Sequence, residues 1–229
     1  MTKRPNILLV HGAWGDGTHW RHVIPTLHNK NYPVYAVQNP LTSLADDVER
    51  TRKLAASLEG PTILVGHSYG GMVISQLGDL SHIVGLVFVA AFAPDKGESL
   101  GSIFQLRDLP SGAANLVPDP DGFLWIKRDK FHESFCHDLD KNEAIIMTAA
   151  QKPTSGRCFE ATSAEPAWKI KPSWYQISNQ DHMIPPETQQ WFTERMKPKK
   201  TIRLDSSHAS LASHPNEIIA LIEDAAKGH

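Results

Sequence analysis

The stretch ILVGHSYGGMVIS, residues 63–75, places one polar residue, Ser68, in the middle of an apolar run. Its pentapeptide GHSYG, residues 66–70, fits the pattern G-x-S-x-G and separates a predicted strand from a predicted helix. A serine on a tight strand-to-helix turn is the arrangement of a nucleophile elbow. Side chains two residues to either side of such a turn would collide with backbone, which explains Gly66 and Gly70. The stretch therefore predicts a serine nucleophile rather than an incidental serine in a glycine-rich turn.

The rest of the chain alternates short apolar runs with helical patterns. Strands are predicted at residues 6–11, 33–38, 61–66, 83–92, 173–178 and 200–205. Helices are predicted at residues 19–30 with a bend near Pro25, at 43–60 with Ser43 as its cap, and at 69–80, 186–196 and about 215–227. Apolar strands separated by helices predict an α/β fold, with a mostly parallel sheet covered by helices on both faces.

The alternation of strand and helix patterns stops between Asp95 and Lys171, where prolines, glycines and aromatic residues are scattered without a strand pattern. We interpret residues 95–171 as a helical cap inserted into the sheet domain, rather than as further sheet. Residues 1–94 and 172–229 then form the core of the domain.

Composition excludes several classes of protein. The chain has 229 residues, 41% of them hydrophobic and 21% charged, and a net charge of −2 without a basic run, so nucleic acid is not an expected partner. The apolar run ILLV near the N-terminus is too short for a signal peptide or a membrane span, which favours a cytoplasmic location. The two cysteines, Cys136 and Cys158, are expected to be free thiols, with no disulfide framework and no metal site. Oligomeric state stays open.

A serine hydroxyl needs a base, and the chain has 12 histidines. In the order typical of this turn, the acid and then the histidine follow the serine along the chain. His208 lies between the last predicted strand and the last helix, where the base is required. His214 adjoins Pro215 at the helix start and is the weaker alternative, and His67 is expected to point away from Ser68.

The acid is expected in the loop after the preceding strand, where Asp181 lies. A carboxylate there would hold the imidazole in the correct tautomer. Asp95, after the earlier strand, is the alternative. Asp205 is too close to His208 in sequence to orient it easily.

Two backbone amides are expected to stabilise an oxyanion. One belongs to Tyr69, directly after the nucleophile. The other comes from the loop at residues 11–20, with Ala13 as the expected donor and Trp14 as the near alternative. Gly12 would let this loop approach the substrate closely, and His11 would brace it.

Residues of the insertion supply a candidate apolar pocket: Phe104, Phe123, Trp125, Phe131, Phe135 and Met147. We expect two or three of these six to touch substrate, because aromatics in a small cap are usually core. The substrate-binding set predicted here is Gly12, Trp14, Phe123, Trp125 and Met183. No cationic cluster points to a charged substrate, so a small to medium, neutral, hydrophobic molecule is expected.

Segments across nearly the whole chain carry a family resemblance: LLVHGAWGDGTHW, VQNPLTSLADDV, VGHSYGG, FVAAFAP, PSWYQISNQDHMIP and SSHASLASHP. The chain resembles the α/β-hydrolases, and within them the small bacterial esterase-like members related to plant methylesterases and hydroxynitrile lyases. The resemblance implies Ser68 as nucleophile, His208 as base and Asp181 as acid.

The resemblance also separates reaction types. Related hydroxynitrile lyases have a threonine where this chain has Gly12, and a lysine where it has Ala209. Dehalogenases and epoxide hydrolases of this fold have an aspartate where it has Ser68. A serine esterase or lactonase acting through an acyl-enzyme, without metal or cofactor, is therefore expected. The alternatives are a non-hydrolytic enzyme, either a lyase or a cofactor-free oxygenase, and a ligand-binding receptor that retains the triad.

Overall fold

The structure of the chain is a computed structural model that describes residues 4–228. These residues form nine strands: β1 (Asn6–Val10), β2 (Val34–Ala36), β3 (Thr62–His67), β4 (Ile83–Val89), β5 (Leu116–Pro118), β6 (Phe123–Ile126), β7 (Thr154–Ser155), β8 (Ser173–Ser178) and β9 (Lys200–Leu204). They also form ten α-helices: α1 (Ile24–Asn29), α2 (Leu44–Ala56), α3 (Tyr69–Ile74), α4 (Leu100–Leu106), α5 (Phe131–Phe135), α6 (Lys141–Ala149), α7 (Arg157–Glu160), α8 (Pro186–Met196), α9 (Ser210–Ser213) and α10 (Pro215–Ala226).

Six strands form one parallel sheet in the order β2–β1–β3–β4–β8–β9. The predicted parallel sheet is thereby confirmed. The chain runs from β1 outward to β2 and then returns to β3 on the other side of β1, so the strand order reverses between β1 and β3. In open α/β sheets, ligands bind outside the carboxyl ends of the strands at such a reversal. The loops that follow β1 and β3 are therefore the expected place for a site.

Both faces of the sheet are buried, which explains why the central strands are apolar without alternation. In β1, Leu8 and Val10 face one apolar cluster, and Ile7 and Leu9 face the other. All four side chains are fully buried. Helices α2 and α3 cover the first cluster, for example with Leu44 and Met72. Helix α10 covers the second cluster with Ile218, Leu221 and Ile222, among others, so the prediction of helices on both faces is also confirmed.

Most predicted elements occur, with shifted ends. Strand β8 and helix α8 coincide with their predicted ranges, and Ser43 caps α2 by accepting a hydrogen bond from the amide of Asp46 at 3.1 Å. Helix α2 ends at Ala56 instead of Gly60, and α3 ends at Ile74 instead of Leu80. The predicted helix 19–30 is instead a 3₁₀ helix over 17–20 followed by α1. Pro25 lies in the first turn of α1, where its missing N–H is tolerated, so it does not bend a longer helix.

Between β4 and β8 the chain leaves the main sheet and forms helices α4 to α7. It also forms a small antiparallel sheet in the order β5–β6–β7. The insertion thus carries helices, as expected of a helical cap, together with a small sheet that the sequence did not predict. The three strands have three, four and two residues, too few to display an alternating pattern. Phe131 and Met147 of the insertion share one apolar cluster with Leu8 and Leu64 of the main sheet, so the insertion packs directly on the core.

Candidate active site

Ser68 occupies the turn between β3 and α3 with φ 54° and ψ −124°. This backbone conformation is unfavourable for a residue with a side chain and persists only where the surroundings enforce it. A Cβ on Gly66 would lie 2.6 Å from the carbonyl oxygen of Gly70, and a Cβ on Gly70 would lie 2.4 Å from the carbonyl oxygen of Val10. The two glycines are therefore required by backbone crowding, as the sequence pattern predicted.

Asp181 and His208 lie close together although they are 27 positions apart in the sequence. His208 Nδ1 and Asp181 Oδ2 are 2.7 Å apart, and both side chains are fully buried. The same oxygen accepts a hydrogen bond from Gln189 Nε2 at 2.9 Å, and Asp181 Oδ1 accepts from the amides of Met183 and Ile184 at 2.7 and 2.9 Å. Because four donors surround the carboxylate, it can remain charged although buried.

The imidazole of His208 is held by packing as well. Its ring centroid lies 4.7 Å from that of His67 and 4.9 Å from that of Phe135. His67 Nε2 donates a hydrogen bond to the backbone carbonyl of His208 at 2.8 Å, which joins the residue before Ser68 to the histidine loop. Within residues 4–228, His208 Nε2 is buried and has no hydrogen-bond partner. That nitrogen is free to accept a proton, since Nδ1 donates to Asp181.

Three further histidines surround this region and stay neutral. Burial lowers the pKa of His11 to about 4 and that of His19 to about 3, and it holds the pKa of His67 well below its usual value. His11 Nδ1 lies 2.8 Å from the carbonyl oxygen of Gly12, and His11 Nε2 accepts a hydrogen bond from the amide of Asn39 at 3.0 Å. His11 thus braces the loop after β1.

The amides of Ala13 and Tyr69 flank Ser68 and have no acceptor within residues 4–228. The Trp14 amide is excluded as a donor to substrate because it donates to Thr154 Oγ1 at 3.1 Å. Gly12 was expected to let its loop approach the substrate, but the close contact is with Ser68. A Cβ at Gly12 would lie 2.7 Å from Ser68 Cβ and 3.2 Å from Ser68 Oγ. Gly12 thus lets the loop approach Ser68 itself.

The competing residues lie elsewhere. Asp95 is partly exposed at the surface and pairs with Lys169 at 2.5 Å. Asp205 accepts a hydrogen bond from Asn179 at 2.8 Å. His214 lies half-buried at the start of α10, with Nδ1 2.8 Å from the hydroxyl of Ser213. None of these three side chains is hydrogen-bonded to His208 or Ser68 in the described part of the chain.

An apolar cavity adjoins Ser68. Its lining is formed by Ala13, Trp14, Ser68, Tyr69, Phe92, Leu100, Phe104, Pro110, Ala113, Leu116, Phe159 and Met183. The lining contains no ionisable group except the phenol of Tyr69. A neutral, apolar molecule therefore fits it best.

Only part of the predicted substrate-binding set lines this cavity. Trp14 and Met183 do, and Gly12, Phe123 and Trp125 do not. Trp125 points instead to Asp119, with Nε1 2.9 Å from Oδ2, because β6 pairs with β5 and directs its side chains by that register. Of the six insertion residues, only Phe104 reaches the cavity, and Phe131, Phe135 and Met147 belong to the core.

Sequence reasoning missed Phe92 and Phe159. Phe92 follows β4 at the carboxyl edge of the sheet, a position that could have marked it. Phe159 lies on α7, whose place above the site depends on how the insertion folds, so it carries no such signal.

The insertion also holds the loop that carries Ala13. Trp14 has φ 59°, and three of its polar groups bind the insertion. Its amide donates to Thr154 Oγ1, its indole donates to the carbonyl of Leu124 at 3.0 Å, and its carbonyl accepts from the amide of Lys152 at 3.2 Å. The loop after β1 is therefore fixed from the side of the insertion.

Thr154→Val should lower kcat/KM about tenfold, because the Trp14 amide loses its acceptor while the side-chain shape is kept. An unpaired buried amide also costs about 1–3 kcal/mol of stability. Steady-state kinetics and thermal unfolding measure both effects. Thr148→Val, which removes a hydroxyl bonded to Ala144 in α6, is the matched control and should keep its activity. Full activity and stability in Thr154→Val would contradict a role of this contact.

Comparisons with known proteins agree with the fold. A sequence model described as alpha/beta hydrolase family matches residues 7–221. The chain belongs to the alpha/beta hydrolase family, which confirms the resemblance in its sequence segments.

Relatives extend over the full length of the chain. A pyrethroid hydrolase from Sphingobium wenxiniae is 27% identical, over 96% of this chain and 87% of its own length. Methylesterase 3 from Arabidopsis thaliana is 24% identical, over 98% of this chain and 97% of its own. The crystal structure of a pyrethroid hydrolase from Sphingobium faniae superposes with a TM-score of 0.82 at 22% identity, covering 98% of both chains.

Within residues 4–228, no group of three or more His, Cys, Asp or Glu side chains is placed to hold a metal ion. No helix in that range is long and apolar enough to cross a membrane.

Proposed function

We propose that this chain is a serine hydrolase that cleaves small to medium, neutral, hydrophobic carboxylic esters or lactones through an acyl-enzyme. The observation that carries the proposal is the buried hydrogen bond of 2.7 Å between His208 and Asp181. His208 packs on His67, the residue before the strained Ser68 turn. Esterases and hydrolases among the relatives support the same reaction class.

In the proposed mechanism, His208 Nε2 takes the proton of Ser68 Oγ as that oxygen attacks the ester carbonyl. The amides of Ala13 and Tyr69 donate to the oxyanion, a contribution of about 10²–10³ in rate for each donor. The proton on His208 passes to the departing alcohol. A water molecule, deprotonated by His208, then attacks the acyl-enzyme and releases the acid. Asp181 stabilises the charged imidazole in both halves.

The cavity supports the proposed substrate class. Its lining is apolar apart from the tyrosine hydroxyl and peptide groups, so burying a charged acyl group there would cost several kcal/mol. An apolar group of the ester gains about 25 cal/mol for each Å² removed from water. The relatives named pyrethroid hydrolase and methylesterase support an ester as the substrate.

The test combines a fluorophosphonate probe with a panel of p-nitrophenyl esters. We expect the probe to label Ser68, and the enzyme to hydrolyse acetate to octanoate esters faster than the charged hemisuccinate. Labelling without turnover of any ester or lactone would favour a lyase or a cofactor-free oxygenase on the same site. Absence of labelling would favour a ligand-binding receptor.

Asp181→Asn should lower kcat by about 10⁴-fold, as the comparable change does in a serine protease. The oxygen of the introduced amide would accept from the backbone amides of Met183 and Ile184, and its NH₂ group would then face His208 Nδ1. A donor there forces the proton of the imidazole onto Nε2, where it can no longer accept the Ser68 proton. Kinetics on one activated ester at neutral pH measure the loss.

Asp95→Asn is the matched control, and it should stay close to wild type because Asp95 pairs with Lys169 at the surface. Circular dichroism confirms that both variants fold. If Asp95→Asn lost its activity while Asp181→Asn stayed active, Asp95, after the earlier strand, would be the acid of the triad.

A further inference from the structure

Asp47, on helix α2, is a buried carboxylate that the proposed mechanism does not use. Its side chain is fully enclosed. Oδ1 accepts a hydrogen bond from the amide of Leu41 at 2.8 Å, and Oδ2 accepts one from the hydroxyl of Tyr69 at 2.7 Å. The thiol of Cys158 lies 3.8 Å from Oδ2. A buried carboxylate disfavours folding unless it is well paired, so packing alone does not account for this residue.

Tyr69 connects this carboxylate to the reaction site. It follows Ser68, begins the six-residue helix α3, and carries one of the two amides that flank the nucleophile. Its ring is fully buried, and it lines the apolar cavity together with Ala13. Because the ring is anchored at its hydroxyl end by Asp47, the first peptide of α3 cannot turn without breaking that hydrogen bond. The contact therefore restrains the residue that carries this N–H.

Asp47 is also connected to the insertion, through the backbone of Leu41. Leu41, whose amide donates to Asp47, has φ 60°. Its carbonyl accepts a hydrogen bond from the amide of Ser155 in β7 at 2.8 Å. Asp47 is thus joined to α3 on one side and, through Leu41, to the insertion on the other.

We propose that Asp47 is a positioning residue: through the hydroxyl of Tyr69, its carboxylate holds the Tyr69 amide in the direction in which it donates to the oxyanion. This inference rests on the proposed hydrolase function and adds to it a residue outside the triad.

Charges around Asp47 give the contact a pH dependence. The groups that face it are Tyr69 from α3, Cys158 from α7, Lys152 from the loop before β7, and Asp46 from its own helix. Burial raises the pKa of Asp47 to about 6, because it outweighs the hydrogen bonds from Tyr69 and Leu41 and the attraction of Lys152. Above that pH the carboxylate is charged and accepts strongly from the hydroxyl, and below it the neutral acid accepts weakly.

Two isosteric variants and their combination test the proposal: Asp47→Asn, Tyr69→Phe and the double variant. At pH 8 each single variant should lose about tenfold in kcat with KM within twofold of wild type, because the donor acts in the transition state. The double variant should lose no more than the stronger single one, since both changes remove the same carboxylate–phenol hydrogen bond. Asp46→Asn, the same change at an exposed neighbour, is the control.

Two readouts separate positioning from a merely structural role. The ratio of wild-type kcat to that of Asp47→Asn should fall from about ten at pH 8 towards one at pH 5, where wild-type Asp47 is protonated. Taking the ratio cancels every pH effect that the two enzymes share. The raised carboxyl pKa means that the folded chain binds this proton more tightly than the unfolded chain, so ionisation weakens the fold as pH rises through 6. Asp47→Asn should therefore unfold at no lower temperature than wild type at pH 8.

The proposal is overturned if either single variant keeps wild-type kcat, if the two losses multiply, or if the kcat ratio stays constant with pH. If Asp47→Asn does not fold, Tyr69→Phe decides by its own kcat, because it removes only the hydroxyl. Failure of the proposed function looks different: wild type itself would then turn over no ester in the panel. If wild type hydrolyses esters and the variants are fully active, only the role of Asp47 is contradicted and the proposed function stands.

Discussion

Replacing Ser68 with alanine is expected to abolish ester hydrolysis, with a loss in kcat of at least about 10⁴-fold. In the proposed mechanism the hydroxyl oxygen forms the acyl-enzyme, and no neighbouring oxygen can replace it at the apex of this turn. Labelling by a fluorophosphonate should disappear with the activity. The measurement is a burst and steady-state assay on p-nitrophenyl butyrate, together with mass spectrometry of the labelled chain.

The fold should survive this change. Ser68 is almost fully buried, yet its hydroxyl makes no hydrogen bond within the described residues, so alanine leaves no polar group unpaired. Ser75→Ala is the matched control in the same helix region, because it removes a hydroxyl that is bonded to the carbonyl of Gly71 at 2.8 Å. It should cost some stability and keep the activity. A Ser68→Ala variant with a tenth of wild-type turnover would refute the assignment of the nucleophile.

The sheet and the order of the site loops could be predicted because they depend on local, repeated signals. Strands that are buried on both faces appear in the sequence as continuous runs of apolar residues. The serine turn is marked by glycines that backbone crowding requires. The positions of Asp181 and His208 then follow from chain order, since parallel strands bring their carboxyl ends to one edge. Their hydrogen bond of 2.7 Å is consistent with that reasoning.

The cavity lining could not be predicted in the same way. Phe123 and Trp125 belong to a strand of four residues whose partners and register are set by the folded insertion. A run this short does not reveal which face a side chain takes. Trp14 is different, because it follows β1 directly and its position is set by the sheet.

Asp47 did carry a signal that was overlooked. The buried residues of α2 are Leu44, Asp47, Thr51 and Ala55, which follow each other at the helical spacing of three or four. An aspartate on the stripe that faces the core is unusual, and the periodicity alone marks it as buried. Its neighbour Asp46 is the ordinary acidic residue of a first helical turn.

Replacing His208 with alanine should reduce kcat about as much as loss of the serine, whereas His214→Ala should remain active. His208 Nε2 is a buried nitrogen without a partner in the described chain, and Nδ1 is bonded to Asp181. The His214 imidazole instead faces the hydroxyl of Ser213 at the start of α10.

The His208→Ala chain should still fold, which makes its inactivity interpretable. Asp181 keeps three donors, Gln189 Nε2 and the amides of Met183 and Ile184, and His67 keeps its acceptor because that acceptor is the backbone carbonyl of residue 208. The lost ring leaves a cavity beside Phe135, so a modest fall in the unfolding temperature is expected. Both variants are assayed on one activated ester at neutral pH, with circular dichroism as the check on folding. If His214→Ala were inactive and His208→Ala active, His214 at the start of α10 would be the base. The hydrogen bond between His208 and Asp181 would then have no role in the reaction.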